Sequence, residues 1–267
     1  MRGSGKWEVG KARGQTIPGV TPPVSAAPDD LIAAQRALLP EIHARVRDRY
    51  LPQLPTLRRE PEPLNGLIQT ILSQQNTAPI TRRQFAALKT AFPRWEDALA
   101  SGPDAVEDVL RGAGGGLARI KADYIWNLLY VLNETGLSET GDLSLANLYE
   151  LPDEEVRARL QALPGVGPKT ASCVLLFDML RPAMPVDTHL HRISRRLFLV
   201  PQNWSAPKTE TWYESALPYT WDARYSYHVA MIRHGRETCT AQRPKCPSCV
   251  LRDLCPSAAL FELGSRK

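Results

Sequence analysis

Four cysteines stand within the seventeen residues CTAQRPKCPSCVLRDLC, at Cys239, Cys246, Cys249 and Cys255, in the spacing C-x6-C-x2-C-x5-C. No other feature limits the fold as much. Thiolates packed this closely in an intracellular chain are metal ligands far sooner than disulfide partners, and ligands must converge on one centre. Zinc is the plainer occupant, and four thiolates suit it. Structural zinc sites usually pair two CxxC-like knuckles, however, and here only Cys246 and Cys249 form one. The other two cysteines sit on spacers of unequal length, which suits wrapping a larger cubane better than gripping one ion. Cys173, in TASCVLLF, lies on an apolar helix face and reads as a small core residue.

The 267 residues, 43% apolar and 23% charged, are enough to bury a full core as one large domain or two interlocked ones. No apolar run is long enough to cross a bilayer, and the first residues lack the apolar centre of a secretory signal. A soluble, cytoplasmic monomer is therefore expected, nucleoid-associated if the source is bacterial. Residues 1–29, rich in Gly, Pro, Ser and basic residues, read as a mobile basic tail. From Asp30 onward the apolar spacing is helical nearly everywhere, as in LIAAQRALLPEIHARVRDRY, LNGLIQTILSQQ, ITRRQFAALKTAF, PDAVEDVLRGA and RIKADYIWNLLYVLNET. DEEVRARLQAL, KTASCVLLFDML, THLHRISRRLFLV and YSYHVAMIRHGRE continue the pattern, with Gly and Pro at the joints. No pair of alternating runs is joined by a hairpin turn, and no repeat of fixed period stands out. The fold class is all-α.

Net charge of +5 and a pI near 9.0 lean toward a polyanionic partner. Only 8 of the 33 basic residues are lysine, which makes a lysine at a special place more noticeable. One such place is LPGVGPKTA, Leu163 to Ala171, where a turn separates a helix ending near Leu160 from one beginning at Pro168. Gly165 and Gly167 permit backbone conformations closed to other residues and leave no side chain to block a ligand. The amides of the turn and the start of the following helix make a seat for an anion, and on a basic chain a DNA phosphate is the candidate. Lys169 stands just inside that helix, and PVDTH, Pro185 to His189, follows soon after it ends. Removing a base from deoxyribose needs a nucleophile at C1′ and a carboxylate for the developing positive charge. An amine does more than water, because the Schiff base it forms acidifies the neighbouring carbon and opens the way to β-elimination. Asp187 also suits the cap of a helix starting at Thr188.

Together LPGVGPKTA, VDTH and the C-x6-C-x2-C-x5-C tail resemble the endonuclease III family, the iron–sulfur branch of the helix–hairpin–helix DNA glycosylases, over roughly residues 30–256. The resemblance implies a [4Fe–4S] cluster on the four cysteines, Lys169 as nucleophile and Asp187 as the carboxylate that assists it. It implies duplex DNA with damaged bases or abasic sites as partner, held by the turn residues Leu163, Gly165, Gly167 and Thr170 and by His189. SQQNT would enter the duplex near the flipped base with Gln75 probing, and GLARIKA would supply Leu117 as a wedge. Arg243 and Lys245, on the loop between Cys239 and Cys246, would face the DNA. The architecture implied is a six-helix barrel lobe over residues 62–181 and a cluster lobe over residues 30–61 and 182–256, with residues 257–267 a C-terminal tail. Lys169 and Asp187 would come from opposite walls of the cleft.

Three readings follow. The first is a bifunctional glycosylase and apurinic/apyrimidinic lyase acting on oxidised pyrimidines. The second is a monofunctional glycosylase for mismatched or oxidised bases, disfavoured by Lys169 and by Thr70 where adenine-mismatch enzymes need a glutamate. The third is a damage-binding module of the same fold with weak catalysis. SQQNTA departs from the family's SAQxTD, with Ala78 replacing an aspartate and Gln74 and Asn76 bulkier than usual, so the polar lining of the pocket is left open.

Overall fold

Helices form where the apolar spacing places them, and proline and glycine set their ends. The computed structural model describes residues 29–135 and 142–264, and no strand occurs among the described residues. The tail expected over residues 1–29 lies, except for Asp29, outside the described residues. The stretch read as one helix from Leu31 to Tyr50 is two, α1 (Asp29–Ala37) and α2 (Leu39–Tyr50). Pro40, with no N–H to give to a preceding turn, sits in the first turn of α2 and ends α1.

At the centre runs α3 (Pro63–Ser73), apolar on most of its surface, with Leu64, Leu67, Ile68, Ile71 and Leu72 fully buried. Its first turn is capped by Glu62, whose carboxylate accepts from the Leu64 N–H at 3.0 Å and from the Leu145 N–H at 2.9 Å. Against α3 pack α4 (Ala78–Ala91), α6 (Ala118–Thr135) and α8 (Pro168–Cys173). Between α4 and α6 lies α5 (Trp95–Ala113), bent at Gly102 just before Pro103, and α7 (Asp153–Gln161) packs on α8.

Beyond α8 the helix loosens into a π turn over Val174–Asp178, with Met179 N–H bonded to Val174 C=O at 3.0 Å. The chain then runs extended through Pro182–Val186 before α9 (Thr188–Arg196), α10 (Ala206–Ala216) and α11 (Trp221–Glu237). Sequence periodicity did not reveal α10, whose APKTETWYESA carries few apolar residues. It starts because Ser205 caps it and Pro207 suits its first turn. On α11 pack both α2 and α9, which joins the start of the chain to its later half. After short 3₁₀ turns at Cys246–Ser248 and Arg252–Leu254 the last described element is α12 (Ala258–Gly264). Within the stretch read as a tail, residues 257–267, a helix thus covers Ala258–Gly264, held at its start by Ser257 Oγ donating to Arg196 C=O at 2.7 Å and by Arg196 over the Phe261 ring, and residues 265–267 lie outside the described residues.

One histidine pins the extended segment. His228, buried on α11, donates from Nδ1 to Pro185 C=O at 2.8 Å, since a carbonyl only accepts. Burial pushes its imidazole down to about 4, against the pull of Asp187 and of its own bond to Pro185. The folded ring stays neutral where the unfolded ring takes a proton, so stability is lost as pH falls from 6.5 toward about 4. At about 1.4 kcal/mol per pH unit, this one group should produce a visible fall in Tm across that window. His228→Gln, whose amide can still donate to Pro185, should show a shallower fall; an equal slope would assign the effect to other groups.

Candidate DNA-binding and catalytic site

The turn between α7 and α8 is held from below. Leu163 and Val166 are buried, and Gly165, at φ 76°, rests on the Tyr124 ring of α6. A Cβ there would stand 2.8 Å from Tyr124 Cγ, so both conformation and space demand glycine. Gly167 differs from the sequence expectation. Its backbone is extended (φ −88°, ψ 176°), a conformation any residue adopts, and the space beside it is open. What glycine gives there is clearance for a ligand rather than conformational freedom. No side chain caps α8, so the amides at its start remain turned outward for an anion. Two other turn residues point their side chains inward. Leu163 is buried and gives its N–H to Leu160 C=O, and the Thr170 side chain is buried, so neither side chain is available to DNA.

Lys169 is the second residue of α8 and is exposed. Asp187 caps α9, its Oδ1 accepting from the Leu190 N–H at 2.8 Å, as the capping reading anticipated. The charges of both residues act on the same two buried groups, the Cys173 thiol and the His228 imidazole. Burial pushes Cys173 up to about 12, which keeps it protonated and inert, in line with a core role. Lys169 and Asp187 thus stand at the N-termini of two successive helices, α8 and α9.

Gln75 and Leu117 share a backbone property. Both have left-handed φ, 54° and 62°, a conformation that costs a non-glycine residue roughly 1–3 kcal/mol. A clamp holds it in place. Asn76 Nδ2 donates to Leu72 C=O (2.9 Å) and Gln84 Oε1 (2.8 Å), while its Oδ1 accepts from Gly116 N–H (3.1 Å). Gln84 in turn donates to Gly114 C=O at 2.8 Å, and Arg83 to Ala113 C=O. Beneath them buried Lys121 donates to Leu72 C=O at 2.8 Å, with burial holding its ammonium below the usual lysine range. The tip carrying Gln75 and the GAGGG loop carrying Leu117 are therefore one bonded unit. Asn76, read from sequence only as bulky, is its keystone.

His189 is half-buried against Gly235, and its Nδ1 accepts from Arg192, which leaves Nε2–H as the outward donor of the neutral ring. Arg192 also donates to Gly235 C=O and Cys239 C=O, linking α9 to the cysteine segment. Arg243 and Lys245 are exposed, and no ion pair involves them among the described residues.

The four cysteines line a single cavity walled by Ile193, Leu197, Leu251, Ala258 and Phe261. Arg196 Nη1 donates to Cys239 Sγ at 3.2 Å and to Thr240 C=O at 2.7 Å, and Leu251 N–H to Cys249 Sγ at 3.4 Å. Among the described residues no three His, Cys, Asp or Glu side chains converge as ligands of one ion. Four cysteines round one cavity, with N–H donors to the sulfurs of Cys239 and Cys249, fit a polynuclear cluster.

An all-helical fold, a helix–hairpin–helix turn and a cysteine-lined cavity define an iron–sulfur DNA glycosylase of the helix–hairpin–helix class. The model of the HhH-GPD superfamily base excision DNA repair proteins matches residues 68–218, and that of the iron–sulfur binding domain of endonuclease III matches residues 239–255. Endonuclease III of Escherichia coli K12 is 31% identical over 215 residues, 80% of this chain and 93% of that protein. A putative DNA glycosylase of Arabidopsis thaliana is 35% identical over 203 residues, 75% of this chain and 67% of that protein. A solved non-covalent endonuclease III–DNA complex superposes with a TM-score of 0.69 at 28% identity, over 87% of this chain and 99% of that one. The chain belongs to the endonuclease III family, and a [4Fe–4S] cluster is its cofactor.

The two turn glycines should respond differently to the same change. Gly165→Ala meets both the left-handed backbone and the Tyr124 ring and should lower stability by about 1–3 kcal/mol, whereas Gly167→Ala should lose less than about 1 kcal/mol. Chemical denaturation of the two variants checks the order; equal losses would refute the assignment of Gly165 as the constrained position.

Proposed function

We propose that this protein is a bifunctional DNA glycosylase and apurinic/apyrimidinic lyase that removes oxidised pyrimidines from duplex DNA. The observation that carries the reading is geometric: Lys169 is exposed at the start of α8, Asp187 is fixed as the cap of α9, and the two segments that bear them are bonded through one buried carboxylate, which accepts from Ser172 Oγ and from the Val186 N–H. The Lys169 amine attacks C1′ of the extruded nucleotide as the glycosidic bond breaks and the electron pair leaves with the base. Asp187 stabilises the cationic sugar and carries the proton that the amine gives up to O4′, so that the C1′–O4′ bond breaks, its electron pair stays on the oxygen, and the opened sugar is left as a Schiff base on Lys169. Loss of a proton from C2′ then expels the 3′ phosphate by β-elimination.

The remaining residues serve access. Extruding a base costs roughly a few kcal/mol, least for damaged bases that stack badly. Gln75 and Leu117, held together by Asn76, fill the vacated space, much as apolar wedges do elsewhere. Because the clamp exists before DNA arrives, little ordering is left to the binding step. The turn amides and His189 Nε2–H hold phosphates, and Arg243 and Lys245 extend that contact from the cluster loop. The cluster, held by the four cysteines, has a structural role, shaping that loop. Support for a DNA substrate also comes from the likeness to an endonuclease III–DNA complex. Among the described residues no helix is long and apolar enough to span a membrane.

Incubation with a thymine glycol duplex and borohydride should trap a covalent complex, absent with Lys169→Gln. Asp187→Asn keeps a good cap acceptor for Leu190 N–H but removes the charge, and should slow trapping by about 100-fold or more with the fold intact. Base release without trapping would replace this reading with a monofunctional glycosylase, and binding without either with a damage-binding module.

A further inference from the structure

Glu210 is a buried carboxylate on α10 that the chemistry above does not use; it is 4% exposed. Its Oε1 accepts from Ser172 Oγ at 2.5 Å and from Arg157 Nη1 at 3.4 Å, and its Oε2 accepts from the Val186 N–H at 3.2 Å. Ser172 lies three residues past Lys169, one turn along α8. Val186 is the residue immediately before Asp187. A single carboxylate thus bonds the helix that presents the amine to the segment that presents the acid. Arg157 completes the set, donating to Ser172 Oγ and to Glu214 as well. Burial raises the Glu210 carboxyl, while the bonds from Ser172 and Val186 pull the other way. Neutralising so buried a group without loss would be simple with an apolar residue, since buried ion pairs are weak sources of stability. This buried carboxyl group is accounted for by the two elements it holds together.

From this geometry we infer that Glu210 is a positioning residue that fixes the separation of Lys169 and Asp187 by tying Ser172 to Val186. The inference rests on the lyase reading of those two residues, and Glu210 itself is too deep to touch DNA. Misplacement of a catalytic group by about 1 Å can slow a reaction by about 100-fold, so a link of two hydrogen bonds to the elements bearing both groups is sufficient for a large effect.

Glu210→Ala removes both links, and Glu210→Gln keeps an acceptor for the Val186 N–H. Each folded variant is measured in two ways. One is the single-turnover rate of borohydride trapping on an abasic-site duplex, with the DNA Kd taken in parallel. The other is hydrogen exchange of the Leu190 amide, which Asp187 caps. Glu210→Ala should trap about 100-fold more slowly with Kd changed less than about threefold, and Leu190 should exchange about tenfold faster. Glu210→Gln should recover about tenfold of the rate. A purely structural role would lower Tm but leave the rate of the folded protein and the Leu190 amide unchanged, and that result overturns the inference. So does slower trapping with Leu190 protected as in the wild type. Should Glu210→Ala fail to fold, Ser172→Ala, which cuts only the α8 link, is held to the same two readouts. Should the wild-type chain itself not trap, the lyase reading fails and the exchange measurement alone decides: faster Leu190 exchange upholds the hold of Glu210 on Asp187, and unchanged exchange ends it.

Discussion

An extended stretch of backbone crosses the interior of a helical protein at Pro182–Val186, and much of the site depends on how its polar groups are paired. Ala183, Met184, Pro185 and Val186 are buried, and no sheet is present among the described residues to supply a ladder. A buried amide or carbonyl left unpaired costs about 1–3 kcal/mol, so side chains must do what a neighbouring strand does elsewhere. Arg224 donates to Pro182 C=O at 2.9 Å, His228 to Pro185 C=O, and Glu210 accepts from the Val186 N–H. All three come from α10 and α11. The segment that delivers Asp187 to the start of α9 is therefore held by the later helices, and the position of the acid is a tertiary property rather than a local one.

The same demand explains a feature of the composition. With 33 basic residues the chain looks like a strong nucleic-acid binder, but many arginines are bonded to carbonyls of the protein itself. Arg181 donates to Leu148, Tyr149 and Leu151 carbonyls, Arg192 to Gly235 and Cys239, Arg196 to Thr240 and Ala241, and Arg233 to Tyr50. A planar guanidinium with five N–H donors can close several carbonyls at once, which an ammonium does less well. Arginine here often acts as a staple for loops and helix ends. Net charge thus overstates the number of basic side chains left free of the protein's own carbonyls.

How much of this was legible in the sequence follows from the range of each interaction. Apolar spacing located most helices, because burial of a helical stripe is a local pattern read at fixed intervals. The cysteines and the LPGVGPKTA turn were legible for the same reason. The break at Leu38 was hidden because Pro40 falls within the first turn of a helix, where proline is tolerated, and an apolar pattern runs across it. Gly167 was misread because sequence does not tell a glycine needed for φ from one needed for clearance. Leu163 and Thr170 sit in the right motif but face inward. Glu210, His228, Asn76 and Gln84 gave no signal, since each acts by pairing with backbone from a distant element and their residue types are equally at home on a surface.

The strained pair Gln75 and Leu117 shows what such pairing accomplishes. A left-handed conformation at a residue with a side chain relaxes unless neighbouring groups over-determine it. At Leu117 the adjacent Gly114 and Gly115, with φ of 73° and 110°, admit the tight path, and Asn76 and Gln84 fasten it to the end of α3. Glycine alone would have left the loop free to take many paths, and the amide clamp alone could not have closed a loop bearing side chains. Flexible backbone and rigid side chains thus combine to give a fixed tip. That combination is what the wedge role proposed for Leu117 requires, because a tip that had to be ordered on contact would lose, in conformational entropy, part of what its insertion gains.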